Sequence, residues 1–225
     1  MAERKTTLVF DLDGTLVDSV YQHVLAWHHA LLKAGIELSI WRIHRRIGMS
    51  GGLFTRALLR ETGRELDAAL LQQLQDLHAE AYGKLSGDVR PLPGAVELLR
   101  HLSAIGAPWA IATSGRIRTA RVTLDRLGVP EAVPVITRDL VAHAKPDPDL
   151  FLAAVEHLGV PSADVFVVGD SVWDMLAARR AQVLGIGLLS GGYGTEELER
   201  AGAYRVYDDP AMLLAHLHEV GIRSD

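Results

Sequence analysis

The segment Asp11-Leu12-Asp13-Gly14-Thr15 constrains this chain most, because it places two carboxylates two residues apart directly after the apolar run Leu8-Val9-Phe10. A short apolar run that breaks into a loop is typical of a buried strand in a parallel α/β sheet, where ligands collect at the carboxyl ends of strands. Two ionised carboxylates this close repel each other, so the site either keeps one protonated or binds a hard cation such as Mg²⁺. Taken alone, Asp13-Gly14 is also a common turn dipeptide.

Composition narrows the classes of function. The 225 residues are enough for one sizeable α/β domain, or for a core domain with a smaller inserted one. A formal charge of −5 without a basic cluster argues against a nucleic-acid surface. The chain has no cysteine, which fits a reducing compartment. We find neither a signal sequence in the polar stretch Met1 to Thr7 nor an apolar segment of membrane-span length, so we expect a cytoplasmic protein that acts on a small molecule.

Hydrophobic periodicity predicts the order of helices and strands. After the first strand, apolar residues recur at three- and four-residue spacing, which predicts a helical insertion, and a Gly- and Pro-rich stretch at 83–94 then leads back to the sheet. The predicted helices of the insertion are Ser19 to Ala34, Leu53 to Thr62 and Leu66 to Ser86. Further strands are predicted at Trp109 to Ala112, Val133 to Ile136, Val165 to Val168, Leu184 to Leu189 and Tyr204 to Val206. Further helices are predicted at Gly94 to Ile105, Arg116 to Leu127, Pro148 to Leu158, Val172 to Ala181 and Pro210 to Val220.

This alternation predicts an α/β fold whose core is a doubly wound parallel sheet, with an inserted α-helical domain. We place the core domain at residues 1–17 and 90–225 and the helical domain at 18–89. In such a sheet the residues that follow each strand share one edge. They are Asp11 and Asp13, Thr113-Ser114-Gly115, Lys145 ahead of a helix that starts with proline, and Gly169 to Asp174. A hydroxyl and an ammonium suit the oxygens of a transferring phosphoryl group, and the acidic pairs suit magnesium.

These residues resemble the four motifs of the haloacid dehalogenase superfamily, in order and at familiar spacing over nearly the whole core. Motif one, DxDGT, is Asp11 to Thr15, and motif two is Thr113. Motif three is Lys145, and motif four, GDxxxD, is Gly169 to Asp174. The resemblance implies a Rossmann-like core, a helical cap domain and Mg²⁺ as cofactor. Any single motif is a weak signal, and the four together are far more specific.

The resemblance also implies the roles of individual residues. Asp11 would be the nucleophile that forms a phospho-aspartyl intermediate, and Asp13 the general acid and base. Thr113 and Lys145 would hold the phosphoryl oxygens, with backbone contacts from Ser114 and Gly115. The implied magnesium ligands are the Asp11 carboxylate, the Asp13 backbone carbonyl and Asp170, with Asp174 bound through water or acting as an anchor.

Small differences in the motifs favour a phosphatase. Hydrolytic dehalogenases of the superfamily generally lack the second aspartate, so Asp13 indicates phosphate-ester chemistry. The insertion resembles the cap of the subfamily that includes phosphoglycolate phosphatase, sugar-phosphate phosphatases and β-phosphoglucomutase. We therefore predict a Mg²⁺-dependent phosphatase acting on a small phosphorylated metabolite, as a monomer or homodimer. A sugar phosphomutase is the alternative, although mutases usually carry Glu-Asp at Gly169-Asp170. A phosphoacceptor signalling module is a third possibility, against which Asp13 and the cap count.

Two pairs of residues in the insertion are candidates for substrate contact. His23 and Trp27 lie four residues apart and share one side of a helix, so either both face the cleft or Trp27 packs in the helical core. Arg45 and Arg46 precede a glycine-rich turn, and we predict that one of them binds a substrate carboxylate or second phosphate. A solvated helix end is the alternative for this pair.

Overall fold

A parallel sheet of six strands forms the centre of the fold. The structure is a computed structural model that describes residues 5–62 and 67–223. The strands lie in the order β5-β4-β1-β6-β7-β8, and every pairing between neighbours is parallel. The strands of this sheet are β1 (Thr7–Phe10), β4 (Trp109–Ala112), β5 (Val135–Ile136), β6 (Val165–Gly169), β7 (Leu184–Leu188) and β8 (Ala203–Tyr207). The doubly wound α/β core predicted from the sequence is confirmed.

Helices cover both faces of the sheet because alternate strand residues point to opposite sides. Leu8 and Phe10 of β1 pack on one side with α5, α6 and α10. Val9 of the same strand packs on the other side with α7 and α8. The helices that follow the insertion are α5 (Ala95–Ala104), α6 (Ile117–Leu127), α7 (Asp149–Leu158), α8 (Val172–Arg180), α9 (Thr195–Ala201) and α10 (Pro210–Ala215).

A helical segment between β1 and β4 has an apolar cluster of its own. Its helices are α1 (Val20–Lys33), α2 (Ile40–His44), α3 (Gly51–Thr62) and α4 (Ala68–Leu85). Val24 and Trp27 of α1 pack there with Phe54 of α3 and Leu74 of α4. The chain enters and leaves this segment side by side, because β2 (Val17–Asp18) pairs antiparallel with β3 (Arg90–Pro91).

Some predicted elements differ from those observed. The strand predicted over Val133 to Ile136 contains only Val135–Ile136, since Pro134 has no N–H to donate and β5 lies at the sheet edge. The helix predicted over Pro210 to Val220 ends at Ala215 and continues as a 3₁₀ turn over Leu217–Val220. Leu66, the predicted start of the last helix of the insertion, lies outside the described residues.

Four short elements of the structure were not predicted from the sequence. The strands β2 and β3 have two residues each, too few to show alternation. Helix α2 has five residues and a single buried side chain, Ile43. Helix α9 likewise buries only Leu198, so it has no apolar stripe. Both missed helices contribute contacts near the predicted site.

Candidate active site

Side chains from the carboxyl ends of β1, β4 and β6 meet at one edge of the sheet. The Asp11 N–H donates to the Val168 carbonyl at 2.8 Å, and the Thr113 N–H donates to the Ile136 carbonyl at 2.9 Å. These bonds extend the strand ladders to the functional residues and fix where their side chains begin. The parallel sheet therefore brings the predicted residues of all four motifs together.

Lys145 connects two of the motifs from a fully buried position. Its Nζ lies 2.5 Å from Asp11 Oδ1 and 2.7 Å from Asp174 Oδ1, and its side chain has 0% exposure. A buried ammonium needs such partners, because taking a charge out of water is costly. Burial alone would lower the pKa of Lys145, but the charges of Asp11 and Asp174 outweigh it and raise that pKa above its usual range. Lys145 is therefore a fixed cation at the floor of the site.

Three carboxylates crowd around this lysine. Asp11, Asp170 and Asp174 are buried, and each offers an oxygen within 4.8 Å of the others. Burial raises the pKa of Asp11 to about 7; Lys145 opposes this rise and Asp174 adds to it. Burial, followed by the charges of Asp174 and Asp11, raises the pKa of Asp170 well above its usual range. The cluster carries more negative charge than one lysine balances, which fits a hard divalent cation.

Neighbouring groups hold the two acids of the fourth motif in place. The Thr15 hydroxyl donates to Asp170 Oδ1 at 2.9 Å. Ser171 donates to Asp174 Oδ2 from its backbone N–H at 3.1 Å and from its hydroxyl at 2.5 Å, in a capping box at the start of α8. Since Lys145 takes the other oxygen, both Asp174 oxygens accept hydrogen bonds. Asp174 is thus placed as an anchor, and Asp11 and Asp170 stand nearer to a ligand role.

Asp13 lies beside this cluster and is supported from α1. Asp13 Oδ1 accepts a hydrogen bond from the Ser19 hydroxyl at 2.7 Å and lies 3.3 Å from His23 Nε2. Burial acts to raise the pKa of Asp13, but the charge and hydrogen bond of His23, with the Ser19 bond, outweigh burial and lower that pKa. Because Oδ1 takes both bonds, Oδ2 remains to face the cavity. Asp13, the predicted general acid and base, therefore has one carboxylate oxygen held by Ser19 and His23 and one that is available on the cavity side.

A column of aromatic rings extends from His23 into the helical segment. His23 Nδ1 lies 3.2 Å from His78 Nε2, and the His23 ring stacks on Tyr82 with centroids 3.9 Å apart. Trp27 stacks on His78 at 4.2 Å and also belongs to the apolar cluster. Burial lowers the pKa of His78 well below its usual range, so His78 is neutral and its Nε2 forms a hydrogen bond with His23 Nδ1 whose direction depends on the tautomer. The sequence analysis missed His78, although its four-residue spacing to Tyr82 on a predicted helix was a signal.

The loop after β4 provides a hydroxyl for phosphate. The Gly115 N–H donates to Thr113 Oγ at 2.9 Å, so the Thr113 hydroxyl keeps its own proton to donate elsewhere. The Ser114 hydroxyl points instead to the Gly48 carbonyl, at 3.1 Å. Thr113, Ser114 and Gly115 all line the same cavity as the two aspartates of motif one. Their arrangement suits the oxygens of a phosphoryl group.

A cavity of about 1000 Å³ lies between the sheet edge and helices α3 and α4. Its floor is formed by Asp11, Asp13 and Lys145, and its helical wall includes His78. Sequence reasoning missed the arginines that line this cavity, which are Arg56 from α3 and Arg116, Arg118 and Arg138 from the core. Arg116 is paired with Asp139 at 3.2 Å, and Arg138 donates to the Val141 carbonyl. The cavity wall thus carries arginines on both its helical side and its core side, and its lining also includes Asp76, Asp139 and Asp147.

The two arginines predicted to bind substrate lie elsewhere. Neither Arg45 nor Arg46 lines the cavity. The Arg45 guanidinium forms an ion pair with Glu197 and lies 4.2 Å from the centre of the Tyr193 ring. Arg46 donates to the Arg42 carbonyl at 3.1 Å. The predicted substrate contact is therefore corrected: the Arg45 side chain is held by Glu197 of α9 and the Arg46 side chain by the Arg42 carbonyl, and neither lies in the cavity lining.

Known proteins share both the sequence and the fold of this chain. Residues 5–182 match the family model of the haloacid dehalogenase-like hydrolases. A phosphoglycolate phosphatase of Xylella fastidiosa strain Temecula1 is 37% identical over 177 residues, which are 78% of this chain and 76% of the relative. Hexitol phosphatase A of Escherichia coli K12 is 31% identical over 175 residues, 77% of this chain and 78% of the relative. A hydrolase from Pseudomonas syringae matches with a TM-score of 0.94 and 52% identity, over 97% of this chain and 100% of that one.

The chain therefore belongs to the haloacid dehalogenase-like hydrolase family, as its four motifs predicted. The prediction of an enzyme, and of a phosphatase among the classes of that family, is also confirmed. Within residues 5–62 and 67–223, no helix is both long and apolar enough to cross a membrane.

Proposed function

We propose that this enzyme is a Mg²⁺-dependent phosphatase that transfers the phosphoryl group of a small phosphorylated metabolite to Asp11 and then to water. One observation carries the proposal: Asp11 lies between the buried Lys145 ammonium and a cluster of acids, directly beside Asp13 at the floor of a cavity. Residues 18–89 act in this proposal as a cap domain that closes the cavity.

The side chains at the floor fit a magnesium ion. Three buried carboxylates face one ammonium, and oxygen atoms are the ligands that Mg²⁺ prefers. Asp11, the Asp13 carbonyl and Asp170 would hold the ion, and Asp174 would anchor the set through Lys145. When bound, the ion neutralises charge on the phosphoryl oxygens and keeps Asp11 ionised.

The residues of the chain can carry both chemical steps. Asp11 attacks phosphorus while the bond to the leaving oxygen breaks, and Asp13 gives that oxygen a proton. The negative charge of the phosphate ester raises the pKa of Asp13, which favours the protonated form that this step needs. Asp13 then takes a proton from water as the water attacks the phospho-aspartate, which releases phosphate and restores Asp11. Lys145 and the Thr113 hydroxyl hold the phosphoryl oxygens throughout.

The cavity wall supports a substrate with polar or anionic groups beyond the phosphate. Arg56 and Arg118 reach the cavity from opposite sides, and Gln72 and Gln75 of α4 add groups that can bind hydroxyls. Relatives include a phosphoglycolate phosphatase and a hexitol phosphatase. A phosphorylated short acid or a sugar phosphate is therefore the proposed substrate class.

The test is phosphate release from a panel of phosphorylated acids and sugar phosphates with Mg²⁺, repeated in EDTA. The proposal expects turnover of at least one of these compounds, and its loss on chelation. Asp208→Asn, a change of an exposed acid outside the site, serves as the control for Asp11→Asn. Full activity of Asp11→Asn would overturn the covalent route, and full activity in EDTA would overturn the metal.

A phosphomutase remains the second candidate, because the cavity is large enough to hold a sugar phosphate. A mutase would convert one sugar phosphate into its isomer when primed with a bisphosphate and would release little phosphate. Gly169, where mutases of the resembling subfamily usually carry Glu, favours the phosphatase. The same panel distinguishes the two if isomer formation is followed alongside phosphate.

The surroundings in which the enzyme works are also part of the proposal. The net charge of −5 supports a small-molecule substrate rather than nucleic acid. The lack of cysteine supports a location in the reducing cytoplasm. We propose that the enzyme works as a monomer or as a homodimer.

A further inference from the structure

Residues 44–50 run from the last residue of α2 to the start of α3 and contact the chain segments that directly follow β4, β5, β6 and β7. We call these segments the four loops; the one after β6 includes Trp173 in the first turn of α8. We call residues 44–50 the clasp. Its contacts to the core are Ser114 Oγ to the Gly48 carbonyl at 3.1 Å, the Ser50 N–H to the Lys145 carbonyl at 3.2 Å, Trp173 Nε1 to the Arg45 carbonyl at 3.3 Å, and His44 Nε2 to the Gly191 carbonyl at 2.8 Å. One short segment therefore touches the loops after four of the six strands, next to the loop after β1 that carries Asp11 and Asp13.

Each of these contacts lies next to a residue of the proposed chemistry. Ser114 follows Thr113 in the chain, and the Lys145 backbone is itself a partner. Trp173 directly precedes Asp174. If the clasp were displaced, each of these loops would therefore shift at a point next to its functional side chain.

The fourth contact reaches the acid cluster through a glycine. Gly191 lies so close to the Asp170 carboxylate that a Cβ at this position would overlap it. Gly48 in the clasp has φ +95°, and a Cβ there would lie 2.8 Å from Ser171 Oγ. The clasp and the edge thus fit together without room for side chains at these two points.

Arg45 holds the clasp in this position. Its guanidinium pairs with Glu197 of α9 and lies over the Tyr193 ring, and its carbonyl accepts the Tyr193 hydroxyl at 2.9 Å. The same carbonyl also accepts a hydrogen bond from Trp173 Nε1. The side chain and the backbone of one residue therefore tie α2 to two different loops of the core.

We propose that Arg45 is a positioning residue, which through Glu197 and Tyr193 holds the clasp against the four loops and so keeps the catalytic groups in their working arrangement. The proposal rests on the function proposed above, and it assigns Arg45 to the rate of turnover rather than to substrate affinity. A residue that contacts substrate in the ground state would act mainly on KM, whereas a residue that sets the arrangement of catalytic groups acts on kcat.

Two neighbouring glutamates on α9 provide a matched kinetic test. Glu197→Gln removes the charge that pairs with Arg45, while its amide oxygen can still accept the Gly194 N–H. Glu196→Gln removes an exposed pair with Arg200 and serves as the control. Glu197 and Arg45 are 42% and 37% exposed, so we expect kcat to fall about fivefold, the upper range for such a pair, with KM unchanged within about twofold. Arg45→Met, which also loses the ring contact, is expected to lower kcat further, by about tenfold or more.

A second measurement does not depend on turnover. The chain has no cysteine, so spin labels attach only at cysteines that are introduced. The two substitutions are Gln73→Cys on α4 and Val122→Cys on α6. Both positions are exposed, and they lie on opposite sides of the cavity. The distance between the labels should be narrowly distributed in the parent protein and in Glu196→Gln. It should be longer or broader in Glu197→Gln and Arg45→Met.

The outcomes separate this proposal from the proposed function. A rise in KM with unchanged kcat would show that Arg45 acts on substrate affinity, and unchanged distances in both variants would show that no clasp depends on it; either result overturns the proposal. If no compound of the panel is hydrolysed, the proposed function fails, and the distance measurement still tests the clasp by itself.

Discussion

The sheet edge and the helical segment both contain charged side chains, but these side chains differ in how far they are buried. At the edge, Lys145 is fully buried and contacts two carboxylates, and both oxygens of Asp174 are bonded. In the helical segment, Arg56 is exposed, and Arg45 is more than a third exposed, as is its partner Glu197 on α9 of the core. The difference indicates that the groups proposed for catalysis lie in the dry interior, whereas the groups proposed for positioning and substrate selection remain in contact with water.

The largest expected effect comes from the centre of the buried edge. Asp11→Asn should lower kcat by about 10⁴-fold or more, because the amide is a poor nucleophile and the covalent route is lost. Steady-state phosphate release measures the effect, with Asp208→Asn as the control. A loss of less than tenfold would contradict the difference drawn between the two regions.

The second effect concerns stability rather than rate. Lys145→Met should lower the free energy of unfolding by about 3–5 kcal/mol, because it leaves buried carboxylates without their cation. Lys84→Met breaks an exposed ion pair with Glu80 and should change the free energy of unfolding by about 0.5 kcal/mol or less. Urea unfolding of both variants in EDTA makes the comparison. Equal losses in the two variants would mean that burial does not separate these ion pairs.

The third effect tests the histidine column. His78→Phe keeps a ring beside Trp27 but removes the hydrogen-bond partner of His23, so kcat should fall about tenfold while KM changes little. His157→Phe, at an exposed position of α7, is the control. An unchanged kcat would show that Asp13 does not depend on support from the helical segment.

The smallest effect belongs to the cavity wall. Arg118→Ala should raise KM about fivefold to tenfold for a substrate with a second anionic group, by loss of one charged hydrogen bond. The same variant should leave KM unchanged for a phosphate ester without that group. Arg121→Ala, on the same helix but outside the cavity lining, is the control. An equal rise in KM for both substrates would remove Arg118 from substrate selection.

The two regions also differ in what their sequence could predict. Asp11 and Thr113 follow short apolar runs and Lys145 precedes a helix start, and the parallel sheet brings such positions together whatever the loops contain. The helical period places His23 and Trp27 on one side of α1, but it does not reveal which partner that side meets. His78 lies 55 residues further along the chain, and only the packing of α4 on α1 brings it to His23.

Arg45 is a second residue whose partner the local sequence did not reveal. Its charge and its glycine-rich neighbourhood were compatible with a substrate contact, and nothing local distinguished this from a structural ion pair. The partner that decides its role, Glu197, lies on α9, a helix too short to be predicted from periodicity. Local sequence patterns therefore do not predict how short elements that are distant in the chain pack against each other.

The central claim is that phosphate passes through Asp11 at the buried edge. Its most direct test is acid quenching of the enzyme during turnover with Mg²⁺, followed by mass analysis of the peptide that contains Asp11. The account predicts that this peptide gains one phosphoryl group, that the group maps to Asp11, and that the gain is lost in EDTA and in Asp11→Asn. Full turnover with the phosphoryl group on another residue, or with an unmodified chain even when quenched within the first turnover, would contradict it.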